Sequence, residues 1–290
     1  MERLHPRISV GKTNVPVLFV DTFMWRRLLT DCQDEARLLR ECCEDRALIV
    51  AFNNALEGEL TQRNLLTDVR ALCGDALLSL PLGRVAANQA IHALICYLEK
   101  RRDVQLNWDL MISKPVGLDS LTLGLRGRIA SIVDELNRAR AGSQHGVKPL
   151  IAILADIKRS LWKHSLDAYS KVILPCYLDA KYERFFYTDY FSDLPFLVIK
   201  AYFLADILVQ REIKIQDIID IHCIAEIVPY STLFILDADQ HNRLCKLRRQ
   251  YQFLFTKIEN TCRVSSVLKS AASEPRSTLR SFLGYVRSEK

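Results

Sequence analysis

The stretch that decides the fold of this chain is DIIDIHCIAEIVPYSTLFILDAD, residues 217–239. Apolar residues recur there at helical spacing up to the pair Pro229-Tyr230, which stops the helix. A short apolar run follows and ends on Asp237, a pattern typical of a buried strand. Because Asp220 lies early on the helix and Asp237 ends the strand, the two acids can converge above one edge of a sheet.

Two upstream runs of apolar and β-branched residues have the same strand pattern. Residues 15–21 end on Asp21, and residues 46–52 precede a predicted helix. Ligands of open parallel sheets gather outside the carboxyl ends of the strands, so acids at those ends are aimed at the usual site. Strands that alternate with helices predict an α/β fold with a central parallel sheet flanked by helices.

The middle of the chain has a different pattern. Residues 75–190 show helical periodicity and hardly any strand, which predicts a large all-helical block; by the family resemblance given below, it looks like an insertion. It would separate an N-terminal α/β part, 1–74, from a C-terminal part, 191–262, and a basic tail, 263–290. Helices are predicted over residues 22–44, 54–72, 84–102, 121–141, 148–166, 169–187, 194–210, 215–228 and 240–249, with a last strand over 251–256.

Composition predicts a soluble globular protein of the cytoplasm. The chain has 290 residues, of which 49% are hydrophobic and 26% charged, enough to bury a large core. The first 12 residues are polar and charged, which predicts no secretory signal. The longest uncharged run, 85–98, is shorter than the roughly 20 residues of a membrane span, so no membrane partner is expected. Nine scattered cysteines without CxxC spacing predict free thiols in a reducing compartment.

The excess positive charge is concentrated at the end of the chain. Residues 240–290 hold 11 Lys or Arg and three Glu, whereas the remainder holds 29 basic and 31 acidic residues. Such a segment can follow a phosphate backbone, or it can be a solvated end.

The segment 217–239 resembles the C-terminal signature of the PIN domain nucleases. In that family a helix opening with Asp runs through a small residue to a Pro-Tyr pair, and the next strand ends in Asp. The residues that fill these places in order are Asp220, Ala225, Pro229-Tyr230 and Asp237. The N-terminal signature is similar, because Asp21 ends a strand and Glu59 precedes Leu60 in the helix after the second strand, with Glu57 as its rival. The resemblance covers about 17–65 and 193–256.

The resemblance implies a nuclease that uses Mg²⁺ or Mn²⁺, with RNA as the commonest substrate. Asp21, Asp220 and Asp237 would hold one or two metal ions, and Glu59 would be a further ligand or would orient a water. Hard oxygen ligands suit these ions, and four crowded acids repel one another unless a cation is present. Many relatives are toxins or defence effectors restrained by a partner, so the helical insertion would dock a regulatory protein or a second copy.

Four more residues are candidates for accessory roles. Asp239 can supplement or replace Asp237, and Asp217 shares a helical face with Asp220. His222 can contact substrate or be a core or surface histidine. Lys200 can contact phosphate or be a solvated helix lysine.

Two alternatives remain open. A PIN-like fold can serve as a catalytically silent scaffold that binds RNA or protein. All-helical HEPN ribonucleases use an Arg-x(4–6)-His pair, and that spacing occurs at Arg140 to His145 and at Arg159 to His164. The chain has no GxxxxGK[ST], GxSxG or HExxH motif and no zinc-ligand spacing, which disfavours an NTPase, a serine hydrolase and a zinc protease.

Overall fold

The computed structural model of the chain describes residues 5–11, 16–46, 48–112, 129–141, 146–156, 159, 180–231 and 233–251. In chain order, the strands are β1 Arg7–Val10, β2 Val17–Val20, β3 Ile49–Asn53, β4 Leu77–Leu80, β5 Asp103–Leu106 and β6 Leu233–Ile235. The helices are α1 Thr22–Thr30, α2 Gln33–Glu44, α3 Asn54–Gln62, α4 Leu66–Cys73, α5 Arg84–Leu98, α6 Trp108–Ile112, α7 Ile129–Ala141, α8 Ala180–Phe185, α9 Asp189–Ser192, α10 Pro195–Gln210, α11 Ile215–Ile227 and α12 Ala238–Gln250. Residues 147–156 are also helical, and 3-10 turns occupy Gly74–Ala76 and Val228–Tyr230.

The chain divides into two compact units. Unit 1 comprises Met1–Gly11 and Pro81–Pro229, and unit 2 comprises Lys12–Leu80 and Tyr230–Lys290. The segment 191–262, predicted from sequence as one C-terminal part, is therefore divided between the units after Pro229.

Unit 2 contains the central parallel sheet, whose strand order is β4-β3-β2-β6. All three neighbouring pairs are parallel, as the sequence predicts, and Val20 of β2 pairs with Ile235 of β6. All four residues of β2 are buried, which fits a strand covered on both faces. Helices α1 to α4 supply much of the remaining core, including Trp25 and Leu60.

Unit 1 is mostly helical. Its two-stranded sheet pairs β1 with β5 in parallel. Helix α10 is apolar nearly all round and packs against α11, so most of its residues are buried. Among the helices that the structure describes, none combines the length and apolar character needed to cross a membrane.

Several sequence predictions are wrong in detail. The segment 75–190 is not free of strand, because β4 and β5 lie within it and are only four residues long, too short to show a clear period. The predicted helix 54–72 is two helices, and Asn64 between them has a φ of +57°, a conformation that interrupts a right-handed helix. The predicted helix 22–44 is also two helices, separated at Asp31 and Cys32.

Some predictions fall outside the described residues. These include the last strand, from residue 252 on, and the basic tail, 263–290. The seven cysteines that the structure describes are free thiols, as the sequence predicts.

The turn from β3 into α3 depends on Asn53. Its Oδ1 accepts a hydrogen bond from the backbone N–H of Leu56 at 3.2 Å, and the side chain is fully buried. This is the N-cap arrangement, in which a side-chain oxygen satisfies one of the first N–H groups of a helix.

We expect Asn53→Ala to lower the free energy of unfolding by about 1 kcal/mol or more, because the cap is lost inside the core. Asn53→Ser retains an acceptor at the same place and should lose less. Urea denaturation of both variants measures the difference, and equal losses would show that the cap does not contribute.

Candidate functional site

Polar side chains follow three neighbouring strands of the unit 2 sheet at their carboxyl ends. Asp21 follows β2, Asn53 ends β3, and Asp237 lies two residues beyond β6. The backbone N–H of Asp21 donates to the carbonyl oxygen of Ile235 at 2.9 Å, which continues the β2–β6 pairing. The parallel register therefore brings Asp21 and Asp237 to the same edge of the sheet.

The two aspartates are held by the helices that they begin. Asp21 Oδ2 accepts from the N–H of Phe23 at 3.3 Å. Asp237 Oδ1 accepts from the N–H groups of Asp239 and Gln240 at 2.8 and 2.9 Å. Both acids are N-caps, so the sequence pattern of a strand followed by an acid has a structural cause. Asp239 contributes its backbone N–H to this cap.

Glu59 reaches the same edge from α3. The hydroxyl of Thr22, which is buried at the start of α1, donates to Glu59 Oε2 at 2.7 Å. Its rival Glu57 is engaged elsewhere, because Arg70 Nη2 lies 2.5 Å from its Oε1 and Ser79 Oγ donates to its Oε2 at 3.0 Å. Of the two glutamates, Glu59 is the one whose charge acts on Asp21.

The pKa of Asp21 reflects its burial and the two acids beside it. The pKa of Asp21 is raised from 3.8 to about 6. Burial is the largest cause, the charge of Asp237 is the next, and Glu59 raises the pKa further. Hydrogen bonds from the N–H groups of Phe23 and Thr22 act in the opposite direction and are outweighed. We call Asp21, Glu59 and Asp237 the acidic edge.

The donor chemistry of the acidic edge fits a hard divalent cation. Mg²⁺ prefers carboxylate oxygens, keeps several waters and is commonly held by one or two carboxylates. A cation beside Asp21 would also offset the repulsion that raises its pKa. Within the described parts of the chain, no group of three or more His, Cys, Asp or Glu side chains forms a ready-made metal site. Asp21, Glu59 and Asp237 therefore do not form a ready-made ligand set in this structure, and what suits a divalent cation is the chemical type of their oxygen donors.

The remaining predicted acids belong to unit 1. Gln216 Nε2 donates to Asp220 Oδ1 at 2.7 Å on the exposed side of α11. Asp217 caps the same helix by accepting from the N–H of Lys214 at 2.8 Å, and Arg211 binds both of its carboxylate oxygens at 2.7 Å. Burial alone would raise the pKa of Asp217, but the Arg211 and Lys214 hydrogen bonds outweigh it and hold the pKa below its ordinary value. Asp217 therefore has a structural role.

Lys200 and His222 also belong to unit 1, where both are buried. Lys200 is only 3% exposed, so its interpretation as a solvated lysine is wrong. Its Nζ lies 3.1 Å from His222 Nδ1, and His222 Nε2 lies 3.6 Å from Glu226 Oε1. The N–H of Ala86, at the start of α5, donates to the same Glu226 oxygen at 3.3 Å. A lysine, a histidine and a glutamate thus form one buried network that joins three helices.

This network largely compensates its own charges. Burial lowers the pKa of Lys200 to about 8, and the charge of Glu226 opposes that shift. Burial would raise the pKa of Glu226, but the charge of His222 and hydrogen bonds from His222, Gly83 and Ala86 outweigh it and lower the pKa. Sequence reasoning missed Glu226, although its i+4 spacing from His222 was visible. It also missed Thr22 and the cap formed by Asn53.

The histidines of the two Arg-x4-His pairs, His145 and His164, lie outside the described residues. Arg159 contacts Asp156 and lies over the ring of Tyr187, with its Cζ 3.8 Å from the ring centroid.

Comparison of the chain with models of known protein families, with curated proteins and with solved structures finds no match.

The raised pKa of Asp21 predicts a pH-dependent gain in stability for Asp21→Asn. The folded chain holds the Asp21 proton up to about pH 6, whereas the unfolded chain releases it near pH 3.8. The contribution of Asp21 to the free energy of unfolding therefore falls as the pH rises between these values and stays low above them. At pH 8, with a chelator present to remove divalent cations, the free energy of unfolding of Asp21→Asn should exceed that of the parent by about 1–3 kcal/mol. One pKa unit corresponds to about 1.4 kcal/mol.

Denaturation at pH 4 and pH 8 measures this difference. At pH 4 the gain should largely vanish, because the parent carboxyl is then mostly protonated. Asp239→Asn, an exposed acid of the same edge, is the control and should change stability little at either pH. A gain for Asp21→Asn that is equal at both pH values would contradict the electrostatic explanation.

The buried network of unit 1 predicts a strong coupling between Lys200 and Glu226. Glu226→Gln keeps an acceptor for Ala86 but removes the negative charge opposite Lys200, and breaking a buried charge pair typically costs about 3–5 kcal/mol. The double variant with Lys200→Met should recover most of that loss, because the lysine charge that Glu226 offsets is then removed as well. Chemical denaturation of the single and double variants gives the coupling energy, and additive losses would rule the coupling out.

Proposed function

We propose that this chain is a metal-dependent nuclease with a PIN-like α/β domain, and that it hydrolyses phosphodiester bonds in RNA. One observation carries the proposal. At the carboxyl edge of the parallel sheet, burial and the charges of Asp237 and Glu59 raise the pKa of Asp21 to about 6. Strongly perturbed acids at the usual ligand-binding edge are typical of functional sites.

Asp21 and Asp237 would hold Mg²⁺ or Mn²⁺, and Glu59 would be a further ligand or would orient a water. The bound ion would lower the pKa of a water to make a nucleophile and would neutralise charge on the phosphoryl oxygens. Hydrogen bonds within the chain position these three acids. The caps fix both aspartates, and the Thr22 hydroxyl holds one Glu59 oxygen. Asp220, the fourth acid of the proposed set, is supported by the sequence resemblance alone.

The starts of three helices also lie at the carboxyl ends of strands β2, β3 and β6. Helices α1, α3 and α12 begin at Asp21, Asn53 and Asp237, respectively. Helix N-termini carry partial positive charge, which stabilises carboxylates and lowers the electrostatic cost of bringing a phosphate to an acidic edge. This arrangement supports a phosphate-containing substrate more than a neutral one.

The substrate, the partner and the cellular location in this proposal are those that the sequence analysis implies. RNA is the substrate that the PIN resemblance implies, and cytoplasmic action with restraint by a regulatory protein or a second copy accompanies it. The helical segment 75–190 and the basic tail 263–290 would choose substrate or partner.

Cleavage of labelled single-stranded and double-stranded RNA with Mn²⁺ or Mg²⁺ tests the proposal. Asp21→Asn and Asp237→Asn keep the helix caps but remove charge, so each should abolish cleavage or reduce it at least about a hundredfold, as loss of a group stabilising the transition state does. Glu59→Gln should reduce cleavage strongly, whereas Glu57→Gln is the matched control and should leave it near the parent rate. Cleavage that survives both aspartate substitutions would remove the acidic edge from the mechanism.

A catalytically silent scaffold is the second candidate function. The observation in its favour is that Asp21 and Asp237 both act as helix caps, a structural reason for the two acids to be present. A scaffold would bind RNA or protein without metal-dependent cleavage. Mn²⁺ separates the two functions, because a metal that binds the folded state raises the melting temperature. The nuclease proposal expects this rise in the parent and its loss in Asp21→Asn.

A HEPN-like helical ribonuclease would instead depend on the Arg140 to His145 or Arg159 to His164 pair. Cleavage lost in His164→Ala but retained in Asp21→Asn would favour that mechanism.

A further inference from the structure

The outer face of α1 carries an aromatic ring beside the acidic edge. Phe23 is 53% exposed, and among the described residues it is the one large, exposed apolar side chain of unit 2. Its own backbone N–H donates to Asp21 Oδ2 at 3.3 Å. The ring therefore begins two residues from the most perturbed acid of the site.

The same face carries positive charge. Met24, Trp25 and Leu28 of α1 are buried, whereas Phe23 and Arg26 are exposed and Arg27 is half-buried. Phe23, Arg26 and Arg27 have i, i+3 and i+4 spacing, so they are neighbours on one side of the helix. Arg27 Nε lies 4.0 Å from an Asp31 oxygen, a weak exposed pair, and Arg26 projects one turn after Phe23. We call Phe23, Arg26 and Arg27 the α1 outer face.

An exposed aromatic ring and a guanidinium on one face match the two chemical parts of a single-stranded nucleotide. The flat face of a base stacks on an aromatic ring, and the phosphate pairs with a cation. An unpaired base is needed, because the bases of a duplex already stack on one another. Asp21 caps the start of the same helix. The sugar–phosphate chain of a nucleotide stacked on Phe23 would therefore lie within about one helical turn of the acidic edge.

We propose that the α1 outer face binds single-stranded nucleic acid, with one base stacked on Phe23 and the adjoining phosphate on Arg26. This rests on the proposed function and assigns two residues of α1, Phe23 and Arg26, that would position the substrate at the same site. The base contact supplies attraction that does not depend on charge, at an edge whose acids repel phosphate.

The experiment measures binding separately from cleavage. Fluorescence anisotropy follows a labelled oligouridylate, an oligodeoxythymidylate and an abasic sugar–phosphate oligomer of equal length binding to the full chain. Asp237→Asn is the background for every protein, so that hydrolysis does not consume the probe. The variants are Phe23→Ala, Phe23→Trp and Arg26→Ala, and the RNA and DNA probes show whether the sugar is read as well.

Phe23→Ala should weaken binding of both base-containing probes by about fivefold or more, since stacking contributes about 1–3 kcal/mol per base and 1.4 kcal/mol is tenfold. It should leave the abasic oligomer unchanged, and Phe23→Trp should retain full affinity. Arg26→Ala should weaken all three probes and reduce the salt dependence of binding by about one phosphate contact.

Two substitutions serve as matched controls. Tyr187→Ala removes an exposed aromatic ring from unit 1, and Arg37→Ala removes an exposed arginine from α2. Neither should change affinity. Because Phe23 is exposed, Phe23→Ala should also leave the melting temperature near that of the background.

Unchanged affinity of Phe23→Ala for the base-containing probes would overturn the proposal, and so would an equal loss for the abasic oligomer. The exposed ring would then be better explained as a contact for a protein partner. Failure of the proposed function is distinguishable from this result. If RNA is not cleaved but the base-dependent loss occurs, the α1 outer face stands as a binding surface without the nuclease. If cleavage depends on Asp21 while Phe23→Ala, made in the chain with Asp237 intact, keeps the parent KM for RNA, the nuclease stands without the stacking contact.

Discussion

The burial of Asp21 beside two other acids, Asp237 and Glu59, is the constraint on which the candidate site of unit 2 depends. These charges come close because adjacent parallel strands end at one edge, and each aspartate then begins a helix. The caps orient the carboxylates but neutralise them only in part, as the raised pKa of Asp21 shows. This arrangement lies at the edge where parallel sheets bind ligands, and it is the physical ground for the proposed function.

In unit 1, a buried lysine and a buried glutamate offset each other's charge, whereas the charges of the acidic edge repel one another. Lys200 and Glu226 are more deeply buried than Asp21, yet His222 lies between them and the backbone of α5 completes the contacts of the glutamate. A closed network of this kind specifies how three helices pack. Glu57 of unit 2 is similar, because Arg70 offsets its charge. The contrast identifies the acidic edge as the place, among the described residues of unit 2, where like charges act together on one carboxyl.

Much of the sheet was predictable because its strands are buried on both faces. Strands β2, β3 and β6 are short apolar runs, and runs of that kind are recognised without any knowledge of their partners. Strands β1, β4 and β5 were not predicted, since each has at least one exposed residue among its four and does not form a continuous buried apolar run, and their pairing depends on distant segments. The break between α3 and α4 was missed because it depends on the left-handed backbone at Asn64.

The sequence by itself determined that Asp21 and Asp237 lie just beyond the carboxyl ends of strands, because a short apolar run followed by an acid is a local pattern that can be recognised without knowing the partners of the strand. Only the tertiary structure decided which other side chains join them. Thr22 selects Glu59, while Arg70 and Ser79 engage Glu57, although the two glutamates differ by only two positions. Tertiary structure also placed Lys200 in the core rather than in solvent. The physical reason is that charge, burial and hydrogen bonding depend on groups far apart in the chain, and their separation along the sequence does not encode the distances between them.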